Sequence, residues 1–241
     1  VVLIEDLSNA SQCNPKDATF RIFAADFPIN SSDYNNWVIT KGDDCQSKQE
    51  GIDKENDKDF VQRFYNGSLS SNSSWTMAQE ISNLPTGVYS FYCDAVTSVP
   101  ESVKFKLNTI NEYKLKGYKT SETQRNISAE EAIGLFRNGG YGISDKIIIT
   151  DGKLNINIEK EHNRSKTTTC FDNFRLTYLG DLNNAFDNRY DLLAKSNFYS
   201  AEAYATYKKA TDDAKAAYAD GTLEVITDDP YAYDDWQADV D

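Results

Sequence analysis

Apolar and polar residues alternate in several stretches of the chain. Val103, Phe105 and Leu107 are separated by Lys104 and Lys106, and Leu154, Ile156 and Ile158 are separated by Asn155, Asn157 and Glu159. Successive side chains of a strand point to opposite faces, so each run predicts a strand with one buried and one wet face. Apolar and aromatic runs bounded by turn residues extend the set to 20–24, 37–40, 60–65, 75–81, 88–97, 113–116, 146–150 and 168–179. Asn83-Leu84-Pro85-Thr86-Gly87 predicts the turn from 75–81 into 88–97, and Asp151-Gly152 predicts a hairpin between 146–150 and 153–160. One helix interrupts the strands: Ser128 is placed to cap it, Glu131 completes a capping box, and Asn138-Gly139-Gly140 stops it. About ten strands with no strand–helix–strand rhythm predict a mainly β fold, a jelly-roll β-sandwich with one short inserted helix.

At Gly180 the period changes from two to the helical 3.6. Leu182, Phe186, Arg189/Tyr190 and Leu193 fall on one helical face. Ser200 is placed to cap a second helix whose stripe is Tyr204, Tyr207, Ala210/Thr211, Ala214 and Ala217/Tyr218, ending at Asp220-Gly221, and a short piece follows at 231–240. The expected domains are therefore a sandwich over 1–180 and a C-terminal α-helical segment over 181–241, a helical hairpin or truncated three-helix module. Charge changes at the same point: residues 181–241 carry a net of −9 and the first 180 a net of −4.

The total net charge of −13 argues against nucleic acid and anionic membrane surfaces, both of which need a basic footprint. No apolar run approaches the roughly 20 residues of a membrane-crossing helix. The 15 Tyr, 12 Phe and 3 Trp, with abundant Asn, Ser and Thr, suit an extracellular β domain. The opening Val1-Val2 is read as a processed export product or a piece of a longer protein, so an exported location, periplasmic, cell-surface or extracellular, is expected. Four cysteines allow three full pairings. Cys93 and Cys170 share strand parity with apolar residues and are expected in the core; Cys13 and Cys45 lie in loops, where an oxidising compartment would let them join.

Several motifs follow one another in a set order: Phe64-Tyr65-Asn66; Trp75-Thr76-Met77-Ala78-Gln79-Glu80-Ile81 continuing through Asn83-Leu84-Pro85-Thr86-Gly87-Val88-Tyr89; the helix with Phe136 and Tyr141; Thr150-Asp151-Gly152-Lys153-Leu154; and Phe171-Asp172-Asn173-Phe174-Arg175-Leu176-Thr177-Tyr178. In this order they resemble the galactose-binding-like β-sandwich modules of gut-bacterial surface proteins, many of which are carbohydrate-binding modules beside glycoside hydrolases. The tail, through Tyr199-Ser200-Ala201-Glu202, resembles the helical modules called "found in various architectures" repeats. The stretch 13–27 departs from the usual opening of the sandwich family.

Catalysis has little to work with. His162 is the single histidine, in a polar hairpin tip, and no pair of carboxylates sits in a recognisable glycosidase motif. Aromatic faces are the better candidates, because a sugar ring packs its C–H face on them while amides and carboxylates take its hydroxyls. Trp37 and Trp75 begin strands and are expected in the core; Tyr34, Tyr65 and Tyr118 sit in polar stretches and are the candidate binding platform. The alternation in 168–179 puts Asp172 on the face of Cys170, Phe174, Leu176 and Tyr178, and an inward carboxylate needs a cation, an arginine or N–H donors. No cofactor is required, but the resemblance implies an option for structural calcium on Asp172, with Asp26 and Asp6 as further ligands. The expected function is that of a non-catalytic, exported carbohydrate-binding module of a polysaccharide-processing surface system, with a glycan as partner. The alternative is a structural or protein-interaction spacer that docks other domains of a cell-surface assembly.

Overall fold

The computed structural model describes residues 7–11, 14–28, 32–43, 45–54, 57–66, 74–98, 103–108, 111–118, 126–161, 166–181 and 201–219. The chain divides into two compact units, Val1–Asp181 and Leu182–Asp241. Among the described residues the first contains twelve strands: β1 (Lys16–Asp17), β2 (Val38–Lys41), β3 (Cys45–Lys54), β4 (Asp57–Asn66), β5 (Trp75–Ile81), β6 (Gly87–Thr97), β7 (Val103–Leu107), β8 (Asn111–Lys114), β9 (Lys116–Gly117), β10 (Gly142–Ile149), β11 (Leu154–Lys160) and β12 (Thr167–Tyr178). A seven-stranded sheet runs β10-β6-β12-β4-β3, with β1 added to β12 and β9 to β6; a five-stranded sheet runs β2-β5-β11-β7-β8. The fold is mainly β, with two sheets and one short helix, α1 (Ala129–Arg137), in this unit.

The inward residues of both sheets meet in one aromatic-rich core. Phe64 stacks on Trp75 at 4.0 Å between ring centroids, and Phe174 makes edge contacts with Phe27 and Trp37. Trp37 and Trp75 are buried, as expected; Trp75 starts β5, whereas Trp37 stands just before β2 rather than in it. A second, smaller cluster lies on the outer face of the seven-stranded sheet, where Val61, Val96 and Cys170 receive Ile133 and Phe136 of α1. The expected cap of α1 is formed in full: Ser128 Oγ accepts from the Glu131 N–H at 3.1 Å, and Glu131 Oε2 accepts from the Ser128 N–H at 2.8 Å.

Two strand expectations need correction, and one strand was not foreseen. Asp151-Gly152 does turn the chain, and Asp151 Oδ1 accepts from the Lys153 N–H at 3.0 Å, but the turn closes no hairpin. β10 pairs with β6 in one sheet and β11 with β5 and β7 in the other. Both strands bury their apolar residues in the same core from opposite sides, which alternation alone cannot distinguish from pairing side by side. The turn at 83–87 carries the chain from β5 into β6 as expected, and it too crosses between sheets. Residues 20–24, expected as a strand, instead form a 3-10 turn (Thr19–Arg21) and a following loop. β3, which no alternation announced, is an edge strand paired only with β4.

In the second unit, α2 (Ala201–Ala219) follows Ser200 as expected, with Lys208–Asp212 and Lys209–Asp213 ion pairs one turn apart. The expected helix over 182–193, the side chains of Tyr204, Tyr207, Thr211 and Tyr218, the Asp220-Gly221 stop and the piece at 231–240 lie outside the described residues.

Candidate functional site

β12 carries a bulge: its register against β6 slips between Asp172 and Arg175. Asn173 takes the left-handed conformation there, at φ 53°, a region asparagine tolerates better than most residues. One extra residue reverses the phase of the strand. Cys170 belongs to the outer cluster under α1, whereas Phe174, Leu176 and Tyr178 belong to the main core. Asp172, in register with Asp94 of β6, goes with Cys170. The reading that put Asp172 on the face of Phe174, Leu176 and Tyr178 is thereby corrected, and so is the placing of Cys170 with them.

The bulge assembles a polar cluster on the outer face of the seven-stranded sheet. Tyr92 Oη donates to Asp94 Oδ1 at 2.7 Å, and Asn173 Nδ2 donates to Asp94 Oδ2 at 2.8 Å. Arg175 donates from Nη2 to Asn173 Oδ1 at 3.3 Å, and from Nη1 to Asp26 Oδ1 at 2.5 Å and to the Phe174 carbonyl at 2.8 Å. A glycine lets the tyrosine lie across the strand pair: a Cβ on Gly142 of β10 would meet the Tyr92 ring at 2.6 Å. Burial first, then the hydrogen bond and charge of Asp94, push the Tyr92 phenol up to about 12.

Asp172 stands opposite Asp94 across the β12–β6 pair. It is 2 % exposed, and its Oδ1 has no hydrogen-bond partner. Burial lifts its pKa to about 8; the charges of Asp26, Asp59 and Asp94 add to the rise, and the Asn173 backbone N–H opposes it. Among the described residues no calcium cradle is assembled around Asp172. Calcium takes six to eight oxygens, whereas Asp26 is engaged by Arg175 and Asp6 lies outside the described residues. Among the described residues no three His, Cys, Asp or Glu side chains converge on a metal-sized space.

The three candidate tyrosines are half-buried and do not form one platform. Tyr34 lies in the 3-10 turn Ser32–Asn36, packs against the main core and donates to Gln62 Oε1 at 2.7 Å. Tyr65 stands in β4 rather than in a loop, with the Arg63 guanidinium 4.9 Å from its ring centroid. Tyr118 follows β9 and packs against the outer cluster under α1. Strand parity puts Tyr65 on the face of Val61, the outer one, so it shares a side of the sheet with Tyr118 but not with Tyr34. Cys45 is a buried free thiol raised by desolvation, and Cys13, its expected partner, lies outside the described residues, as does His162.

Sequence reasoning passed over Tyr92, Asp94, Asn173 and Arg175. The available signal was the charged Asp94 inside an otherwise apolar run, opposite a strand carrying Asp-Asn.

Two exposed aromatic residues lie near Asp26 of this cluster in the chain. Among the described residues the large hydrophobic side chains left exposed are Phe20 and Phe23, each 43 % exposed, and Val38. Phe20 and Phe23 belong to the loop that supplies Asp26. That loop is tied to β12 on both sides of Arg175: the Leu176 N–H donates to Thr19 Oγ1 at 3.1 Å, and the Phe174 N–H donates to the Ala25 carbonyl at 3.1 Å.

No protein-family model matches this chain, and no curated protein matches it. Solved structures are similar to part of this chain. The carbohydrate-binding module TmCBM61, solved with β-1,4-galactotriose, is 16 % identical over 64 % of this chain and 94 % of its own, with a TM-score of 0.39. The family 11 carbohydrate-binding module of Clostridium thermocellum, solved with a β-1,3-1,4-mixed-linked tetrasaccharide, is 9 % identical over 69 % of this chain and 96 % of its own, with a TM-score of 0.33. An exo-β-agarase is 11 % identical over 64 % of this chain at a TM-score of 0.36, and the match spans 24 % of that enzyme.

Proposed function

We propose that the first unit is a non-catalytic carbohydrate-binding module of an exported, cell-surface polysaccharide-processing protein, and that the bulge face of the seven-stranded sheet takes part in binding. The observation that carries this reading is the network of guanidinium, amide, carboxylate and phenol built by Arg175, Asn173, Asp94, Asp26 and Tyr92. These groups suit a ligand dense in hydroxyls, and their mutual bonds fix them before any ligand arrives, which lowers the entropy cost of binding. The sequence resemblance to galactose-binding-like modules supports the same reading. Recognition rather than cleavage fits the carboxylates: Asp94 and Asp26 are engaged, and Asp172 is too buried to reach a glycosidic oxygen.

Calorimetry of the 241-residue chain against plant and host glycans tests this. A dissociation constant on the order of micromolar to millimolar is expected, with weaker binding in Arg175→Ala. No heat at millimolar sugar sinks the reading in favour of a spacer module. One observation favours that second reading: the outer face of the five-stranded sheet is tiled by the ion pairs Lys106–Glu159 and Lys153–Glu80.

A further inference from the structure

Phe23 is an exposed ring on an immobilised backbone. Its N–H donates to Gln79 Oε1 at 3.0 Å, and its carbonyl accepts from Gln79 Nε2 at 3.1 Å and from Trp37 Nε1 at 2.8 Å. Both partners are buried, at 2 % and 4 % exposure. Phe20 sits one turn earlier, after Thr19, whose N–H donates to Asp17 Oδ1 at 2.8 Å. The Arg21 guanidinium lies 5.1 Å from the Phe20 ring centroid, and its Nε is buried without a hydrogen-bond partner. A chain that fixes its backbone this firmly while leaving two large apolar rings in water is presenting them rather than failing to bury them.

We propose that Phe20 and Phe23 are an aromatic edge on which the C–H face of a pyranose packs, while the neighbouring Arg175–Asp26 pair takes its hydroxyls. This rests on the glycan-binding reading and gives it a site that the tyrosines do not. The chemistry of the edge decides the occupant. A helix, a strand or a second copy of the chain would want a contiguous apolar patch of at least a few hundred Å². Here the two rings share one loop with Arg21 and Asp26, and Asp26 pairs with Arg175; the Arg175 and Asp26 side chains are 42 % and 58 % exposed. Apolar faces sharing a loop with forked donors and acceptors match a sugar ring, which has an apolar face and a rim of hydroxyls.

The test uses the 241-residue chain with Phe20→Leu/Phe23→Leu, a double variant that stays apolar but loses both aromatic faces, and with Phe23→Trp. Each is titrated by calorimetry with neutral galactose, glucose, mannose and xylose oligosaccharides. The expected result is wild-type binding that falls roughly five- to tenfold in the leucine variant and persists in Phe23→Trp, with unchanged melting in both. If the wild type binds and the leucine variant binds equally well, the edge is overturned and the glycan reading stands. If the wild type shows no binding to any of them, the reading and the edge fall together.

Discussion

With a pKa near 8, Asp172 keeps its proton in the folded chain across a range in which an ordinary carboxylate, near 3.8, has lost it. Between about pH 4 and pH 8 the folded state therefore binds more protons than the unfolded state at this position, and stability falls as the pH rises through that window. Outside the window the effect is level. Asp172→Asn should remove it: in urea titrations the variant is expected to exceed the wild type by about 1–3 kcal/mol at pH 8 and to converge with it near pH 4. Parallel pH profiles for the two proteins would show that the carboxyl is ionised throughout. That a carboxylate in this strand needs special provision was legible in the sequence, because Asp172 sits among apolar residues. Its partners were not. The left-handed turn at Asn173 is a backbone event that reverses the parity on which every assignment beyond it depends, and alternation carries no mark of it.

Single elements were legible where one face is buried and the other wet. The run 75–81 is strand β5 residue for residue, and the apolar positions of β7 and β11 all point inward. β3 escaped because an edge strand has less to bury: its inward positions include Ser47, Gln49 and Gly51, and Gln49 faces Gln62 across the pair. Residues 20–24 failed in the opposite sense. Their alternating Phe20, Ile22 and Ala24 resemble a strand, but the neighbouring Phe23 backbone spends its hydrogen bonds on the side chains of Gln79 and Trp37 rather than on a ladder. The capping box of α1 is the most local of these signals and gives the most local expectation. Ser128→Ala should cost about 1 kcal/mol, read as a lower urea midpoint with an unchanged slope; a neutral effect would mean that packing of Ile133 and Phe136 alone holds the helix.

At the scale of the molecule, the class of fold followed from counting strands and turns, while the partition of strands between sheets did not, because residues on either side of a sandwich core obey the same alternation. The two units invite a separation experiment. Removing 182–241 should leave residues 1–181 with a cooperative melt within a few degrees of the full chain, since that unit holds both described core clusters; a noncooperative melt would show that the second unit completes the first. The crossing turns at 83–87 and 150–153 also bear on how the chain comes together in time. Because both carry the chain from one sheet to the other, only β3–β4 and β7–β8, among the described strands, are neighbours in sequence that pair directly. The middle of the larger sheet is β12, the last of the described strands to be synthesised, and it is matched to β6 and β4 from far upstream and to β1 near the start. Every such pairing closes a long loop, so folding belongs to the slow, millisecond-to-second regime of high contact order. During synthesis the strand edges of β6 and β4 that await β12 stay open until residue 178 has left the ribosome, and for that interval those edges are the part of the chain most exposed to pairing with a wrong strand.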